Sequence, residues 1–192
     1  PTERYQQQSI AADMLKTAGF EAIGFDHFAD PADSMALANR AQKLARNFQG
    51  YSTDGAETLI GLGASAIGTL PQGYVQNVAS ITGYRRSIQS GQLAISRGIA
   101  LGADDRLRRD VINAIMCGKD TDVATLCRQH GASESTLDAE LEILSPYVTD
   151  GLIERHGRRI VVTEFGRPFL RLIASAFDAY LDRGTARHSV AV

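Results

Sequence analysis

Cysteine is scarce, with two among 192 residues. That excludes a disulfide-stapled scaffold and a four-thiolate zinc site. The four histidines are scattered without metal-ligand spacing. No run approaches the roughly 20 apolar residues of a membrane span. No basic segment with a short apolar core opens the chain as a secretory leader would. An excess of charge is also missing. The 22 acidic and 20 basic side chains leave a formal net charge of −2, which argues against nucleic-acid binding driven by global charge. The cytoplasm is the expected location. The first residue is Pro1, so a processed chain or a piece of something longer is expected.

What is present is ordinary globular material, 44% hydrophobic and 22% charged. Ile10, Met14 and Leu15 mark an opening helix that Gly19 stops. The apolar run Phe20–Phe25 has strand length, and helix, glycine, short strand is the rhythm of a βα-repeat protein. A second helix is expected over 33–47 and a polar turn region over 47–58. The glycine-interrupted run Leu59–Ile67 follows, then a short helix ending at Gly91. From Ala103 the texture changes. Leu107, Val111, Ile112 and Ile115 share one helical face, and Val123, Leu126 and Cys127 mark a second helix. Leu137, Leu141 and Leu144 predict a third over 133–148. A hairpin turning at His156-Gly157 comes next, and a last helix carries Leu170, Ile173, Phe177 and Leu181 on one stripe.

Several constellations invite chemistry. Gly61-Leu62-Gly63-Ala64-Ser65-Ala66 matches the G-x-G-x-x-A dinucleotide pattern, which needs a helix directly after it. Gly68, Pro71 and Gly73 break any such helix, so Ser65 and its neighbours read as structural. Asp26-His27 stands just past the expected strand, where barrel folds place reactive groups. Against that stands a histidine that merely positions its loop. Cys117 and Cys127 read as small buried residues. Arg106, Arg108 and Arg109 read as a solvated or acid-paired face, with an anion contact as the sharper alternative. Three helices and a hairpin suggest a winged-helix-like unit. Its third helix carries Glu134, Asp138, Glu140 and Glu142, which phosphates would repel, so a packing or lid role is expected.

The strings GFDHFADP, ARNFQGYSTDGAETLIGLGASAIG and LPQGYVQN, within Gly24–Asn77, resemble the oxygen-independent coproporphyrinogen III oxidases. The likeness continues through RGIALGADDRLRRDVINAIMC and DGLIERHGRRIVVTEFGRPFLRLIASAFDAYL, nearly the whole chain, and Asn47–Tyr51 is its most telling run. The resemblance implies a mixed α/β plus mainly α chain. Residues 1–78 would be the C-terminal end of a partial (β/α)6 radical S-adenosylmethionine barrel and 79–102 a connector. Residues 103–184 would be a helical C-terminal domain with a small antiparallel hairpin, and 185–192 a flexible tail. It implies an oxidoreductase of haem and porphyrin biosynthesis that oxidatively decarboxylates coproporphyrinogen III to protoporphyrinogen IX.

The cofactors so implied are S-adenosylmethionine and a [4Fe–4S] cluster. The cluster is held by a Cys-x3-Cys-x2-Cys loop in a barrel half that this chain lacks. No metal ligand is therefore expected here, and the chain alone is expected to be inactive. Phe48, Gln49 and Ile67 match positions of the family's S-adenosylmethionine site. Ala45 stands where the family usually has histidine. The partners implied are coproporphyrinogen III and the missing barrel half, without nucleic acid or membrane. A haem-binding or haem-delivery relative and a stand-alone winged-helix regulator are the alternatives.

Overall fold

The structure, a computed structural model, describes residues 2–181, and the tail expected at 185–192 lies outside them. The chain divides into two compact units, one of Pro1–Asp54 with Leu107–Val192 and one of Gly55–Arg106.

In the first unit, helix α1 (Thr2–Thr17) ends before Gly19, whose φ of +90° is the left-handed conformation that closes helices. The apolar residues that mark this helix in the sequence, Ile10 and Met14, are exposed. The expected strand at 20–25 reduces to β1 (Glu21–Ile23), paired antiparallel with β2 (His27–Ala29) so that Ile23 faces His27. Gly24, at φ +60°, turns the chain between them. His27 therefore opens a second strand instead of following the end of a parallel one. Helix α2 (Ser34–Arg40) is capped by Asp33, which accepts the Met35 N–H. It is shorter than the sequence predicts, because Gln42 adopts φ +57° and the chain extends. Where helix end and polar turn were expected, β3 (Ala45–Asn47) and β4 (Gly50–Ser52) form a hairpin.

The second unit is a three-stranded antiparallel sheet of β5 (Ile67–Leu70), β6 (Gly73–Asn77) and β7 (Ile95–Ala100), with β6 central. Helix α3 (Ile81–Gln89), capped by Ser80, links β6 to β7. The Gly61–Ala66 loop leads into a strand and not a helix, which removes the dinucleotide reading. Asn77 Nδ2 braces it by donating to the carbonyls of Gly61 and Gly63 at 2.9 and 3.0 Å.

The rest of the first unit follows helix α4 (Ala103–Met116), whose Leu107, Val111 and Ile115 are fully buried. Then come β8 (Thr121–Asp122), α5 (Val123–Gln129), α6 (Asp138–Ile143) and α7 (Ser145–Thr149). The single helix expected over 133–148 is broken, because Pro146 has no N–H to continue α6 and instead sits in the first turn of α7. Strands β9 (Ile153–His156) and β10 (Arg159–Val162) make the expected hairpin, turning at Gly157 with φ +65°. Strand β8 joins it as a third strand that the sequence did not signal. Helix α8 (Leu170–Ser175) completes the layer. Leu170, Ile173 and Phe177 seal its core, whereas Leu181, placed on the same stripe, lies beyond the helix and is exposed. The strand pairs among the described residues are antiparallel, and the small sheets close no barrel. No helix among the described residues is long and apolar enough to cross a membrane.

Candidate functional site

Tyr51 organises the neighbourhood of the two N-terminal hairpins. It is 8% exposed, and its hydroxyl donates to the Met116 carbonyl at 2.7 Å. That carbonyl is one of the last four of α4, which have no partner within the helix. Burial pushes the Tyr51 hydroxyl up to about 12, against smaller lowering effects of the Phe25 backbone and Arg46. Gly24 makes room for it: a Cβ there would fall 2.0 Å from the phenol carbon and oxygen.

Three groups surround the ring. Phe25 meets it edge-on at 6.5 Å between centroids, and His27 at 5.1 Å and 84°. The Arg46 guanidinium lies over both rings, 5.7 Å from the Tyr51 centroid and 6.0 Å from that of Phe25. Arg171, from α8, lies 5.3 Å from the Phe25 centroid.

The Asp26-His27 pair singled out in the sequence does form, with His27 Nδ1 and Asp26 Oδ1 2.6 Å apart. A carboxylate on Nδ1 orients the imidazole. Nε2 lies 3.5 Å from where a Cβ on Gly50 would be, beside the β3–β4 turn. That turn consists of Phe48 and Gln49. Phe48 is 51% exposed, and the Gln49 N–H donates to Asn47 Oδ1 at 2.8 Å. The structure thus places Phe48 and Gln49 together in the first unit. Ile67 opens β5, half-buried, in the second. Ala45 opens β3 opposite Ser52.

These residues suit part of a nucleoside site. An exposed ring can cover a purine or ribose face, and an exposed primary amide offers both donor and acceptor. An iron–sulfur cluster does not fit. Cys117 and Cys127 are 3% and 0% exposed, burial raises both thiols above their ordinary range, and two thiolates are fewer than three. No group of three His, Cys, Asp or Glu suited to a metal occurs among the described residues.

The helical half is internally charge-matched. Arg158 forks onto Asp138 at 2.7 Å through two nitrogens, Arg155 meets Glu142 at 3.0 Å, and Arg159 forks onto Asp120. Of the arginine cluster, Arg109 pairs with Asp110 at 3.0 Å, Arg108 pairs with Glu140 at 2.8 Å, and Arg106 donates to the Leu101 carbonyl at 2.6 Å. The hairpin arginines each hold an acid of the surrounding elements.

Nothing in the sequence marks Arg46 or Arg171 as functional, and Tyr51 enters only as the end of the Asn47–Tyr51 run. Glycines at 24 and 50 are the only local hint of a bulky ring beside them, and Arg171 arrives from 125 positions beyond Arg46.

Residues 101–169 match the family described as the HemN C-terminal domain. The oxygen-independent coproporphyrinogen III oxidase of Bradyrhizobium diazoefficiens is 47% identical over 189 residues, covering 98% of this chain and 42% of that protein. The protein of the same name from Paracoccus denitrificans is 37% identical over 192 residues, all of this chain and 42% of its own. A solved structure of the Escherichia coli coproporphyrinogen III oxidase (HemN), described as a radical SAM enzyme, superposes with a TM-score of 0.83. The identity is 39%, over 92% of this chain and 40% of that one. The chain spans about two fifths of the length of the curated relatives it matches.

Proposed function

We infer, from the homology of this chain to the C-terminal part of the oxygen-independent coproporphyrinogen III oxidases, that it serves the same reaction as part of a whole protein. The reaction is the oxidative decarboxylation of two propionates of coproporphyrinogen III to the vinyl groups of protoporphyrinogen IX, a step of haem biosynthesis in the cytoplasm. S-adenosylmethionine and a [4Fe–4S] cluster supply its radical chemistry. The cluster's thiolates come from outside these 192 residues, so the chain by itself does not turn over.

In this reading residues 1–78 complete a barrel and 79–102 connect it to the helical domain at 103–184. Phe48 covers an apolar face of S-adenosylmethionine and Gln49 hydrogen-bonds its polar edge. The observation that carries the reading is the 47% identity over 98% of the chain to the Bradyrhizobium enzyme. The exposed Phe48-Gln49 turn supports the residue roles.

A chimera tests both levels. Residues 1–192 replace the matching part of the Bradyrhizobium enzyme, and turnover is followed anaerobically against S-adenosylmethionine concentration. Phe48→Ala and Gln49→Ala are each expected to raise KM for S-adenosylmethionine about tenfold, the cost of one good contact. An unchanged KM in both variants contradicts the assigned roles.

A further inference from the structure

We propose that Arg46 and Arg171, both seated over the Phe25 ring, form a carboxylate-binding clasp. The inference deepens the function proposed above by naming what a ligand's acid groups would touch, and it rests on that reading for the choice of ligand.

The first observation is an incomplete hydrogen-bond account. Arg46 Nε is buried and has no acceptor among the described residues. A buried donor left unsatisfied is costly, and a guanidinium presents Nε and one terminal nitrogen as a fork that fits a carboxylate. The second is a charge contrast. Eight arginines of this unit hold an acid: Arg40, Arg108, Arg109, Arg128 and Arg167, with the three of the β9–β10 hairpin. Arg46 and Arg171, like Arg4 on α1, have no carboxylate in ion-pair contact among the described residues.

The nearby acid, Asp26, is engaged by His27 Nδ1 at 2.6 Å. Tyr51 cannot serve as counter-ion either, since burial keeps its phenol neutral through the physiological range. Two cations held at 6.0 and 5.3 Å from one ring centroid are oriented in advance by their cation–π contacts. The chemistry they select is an organic carboxylate, and two ligands of the proposed reaction carry one: the tetrapyrrole, through its propionates, and S-adenosylmethionine, through its amino-acid end.

The test uses the chain itself with three probes: coproporphyrin III, its tetramethyl ester and S-adenosylmethionine. Binding is measured by fluorescence for the porphyrins and calorimetry for S-adenosylmethionine, for wild type, Arg171→Gln and Arg46→Lys. Arg171 is exposed, so its variant folds whatever happens at Arg46. Loss of one charge-assisted bond is expected to weaken the acid about tenfold in each variant. Binding of the ester is expected to be weaker than that of the acid and unchanged in both variants. A loss confined to coproporphyrin III assigns the clasp to a propionate, and a loss confined to S-adenosylmethionine assigns it to the amino-acid carboxylate. The clasp is overturned if neither acid binds wild type, if both acids bind the variants as tightly as wild type, or if any loss for coproporphyrin III is matched by an equal loss for its ester. None of these results affects turnover by the chimera, so the function and the clasp fail separately.

Discussion

Replacing Tyr51 by phenylalanine removes one oxygen and should change stability in a way that depends on pH. The hydroxyl is the donor to the Met116 carbonyl at the end of α4, in a position 8% exposed. Deleting it leaves a buried acceptor unsatisfied, which costs about 1–3 kcal/mol near neutral pH. The alkaline limb is the sharper test. A free tyrosine ionises near 10, whereas burial raises this one to about 12. A group whose folded pKa is raised contributes stability fully below the unfolded value and loses it as pH rises through the folded value. The wild-type advantage should therefore be constant to about pH 10, then fall by about 1.4 kcal/mol per pH unit toward pH 12. Over that window the loss is about 3 kcal/mol, enough to erase the neutral-pH difference. Urea denaturation of both proteins at matched pH, reported as their difference, isolates Tyr51 from the other tyrosines and lysines, which titrate in both. A difference that stays flat from pH 9 to 12 would refute the burial argument, and a neutral-pH difference under about 0.5 kcal/mol would refute the hydrogen bond.

Two further outcomes follow from the same neighbourhood. Gly24→Ala combines a left-handed backbone at φ +60° with a Cβ 2.0 Å from the Tyr51 ring, so urea denaturation should show a loss of about 2–5 kcal/mol. A loss below 1 kcal/mol would mean that Tyr51 has room to move aside. Cys117 and Cys127 are buried with raised thiol pKa values, so a thiol reagent at pH 8 should label neither in the native chain and both in urea. Immediate labelling of either one contradicts its placement.

The elements most legible in the sequence are those whose information is local. Leu107, Val111 and Ile115 at helical spacing bury as a stripe, and Gly157 turns its hairpin, because periodicity and a left-handed glycine act within a few residues. The helix expected over 133–148 is too long because Leu137, Leu141 and Leu144 keep helical spacing right up to Pro146, where the chain breaks into two helices. The hairpins at 21–29 and 45–52 are not legible in the sequence for another reason. Each strand is three residues long, too short for alternation to register, and their turns lack the Asn-Gly type of signal. Strand β7 pairs with β6 across α3, a non-local match that the sequence does not mark. The same holds at the candidate site. Phe48, Gln49 and Ile67 came from a resemblance and Asp26-His27 from local adjacency. The Arg46–Phe25–Arg171 arrangement exists only once α8 is packed against the hairpins.

Haem-pathway turnover by the chimera is the most direct test of the functional account. Anaerobic incubation with coproporphyrinogen III, S-adenosylmethionine and a reductant should yield protoporphyrinogen IX, at a rate within about tenfold of the parent enzyme. The 192-residue chain alone should yield none. A folded chimera that holds its cluster yet forms no protoporphyrinogen IX would contradict the account.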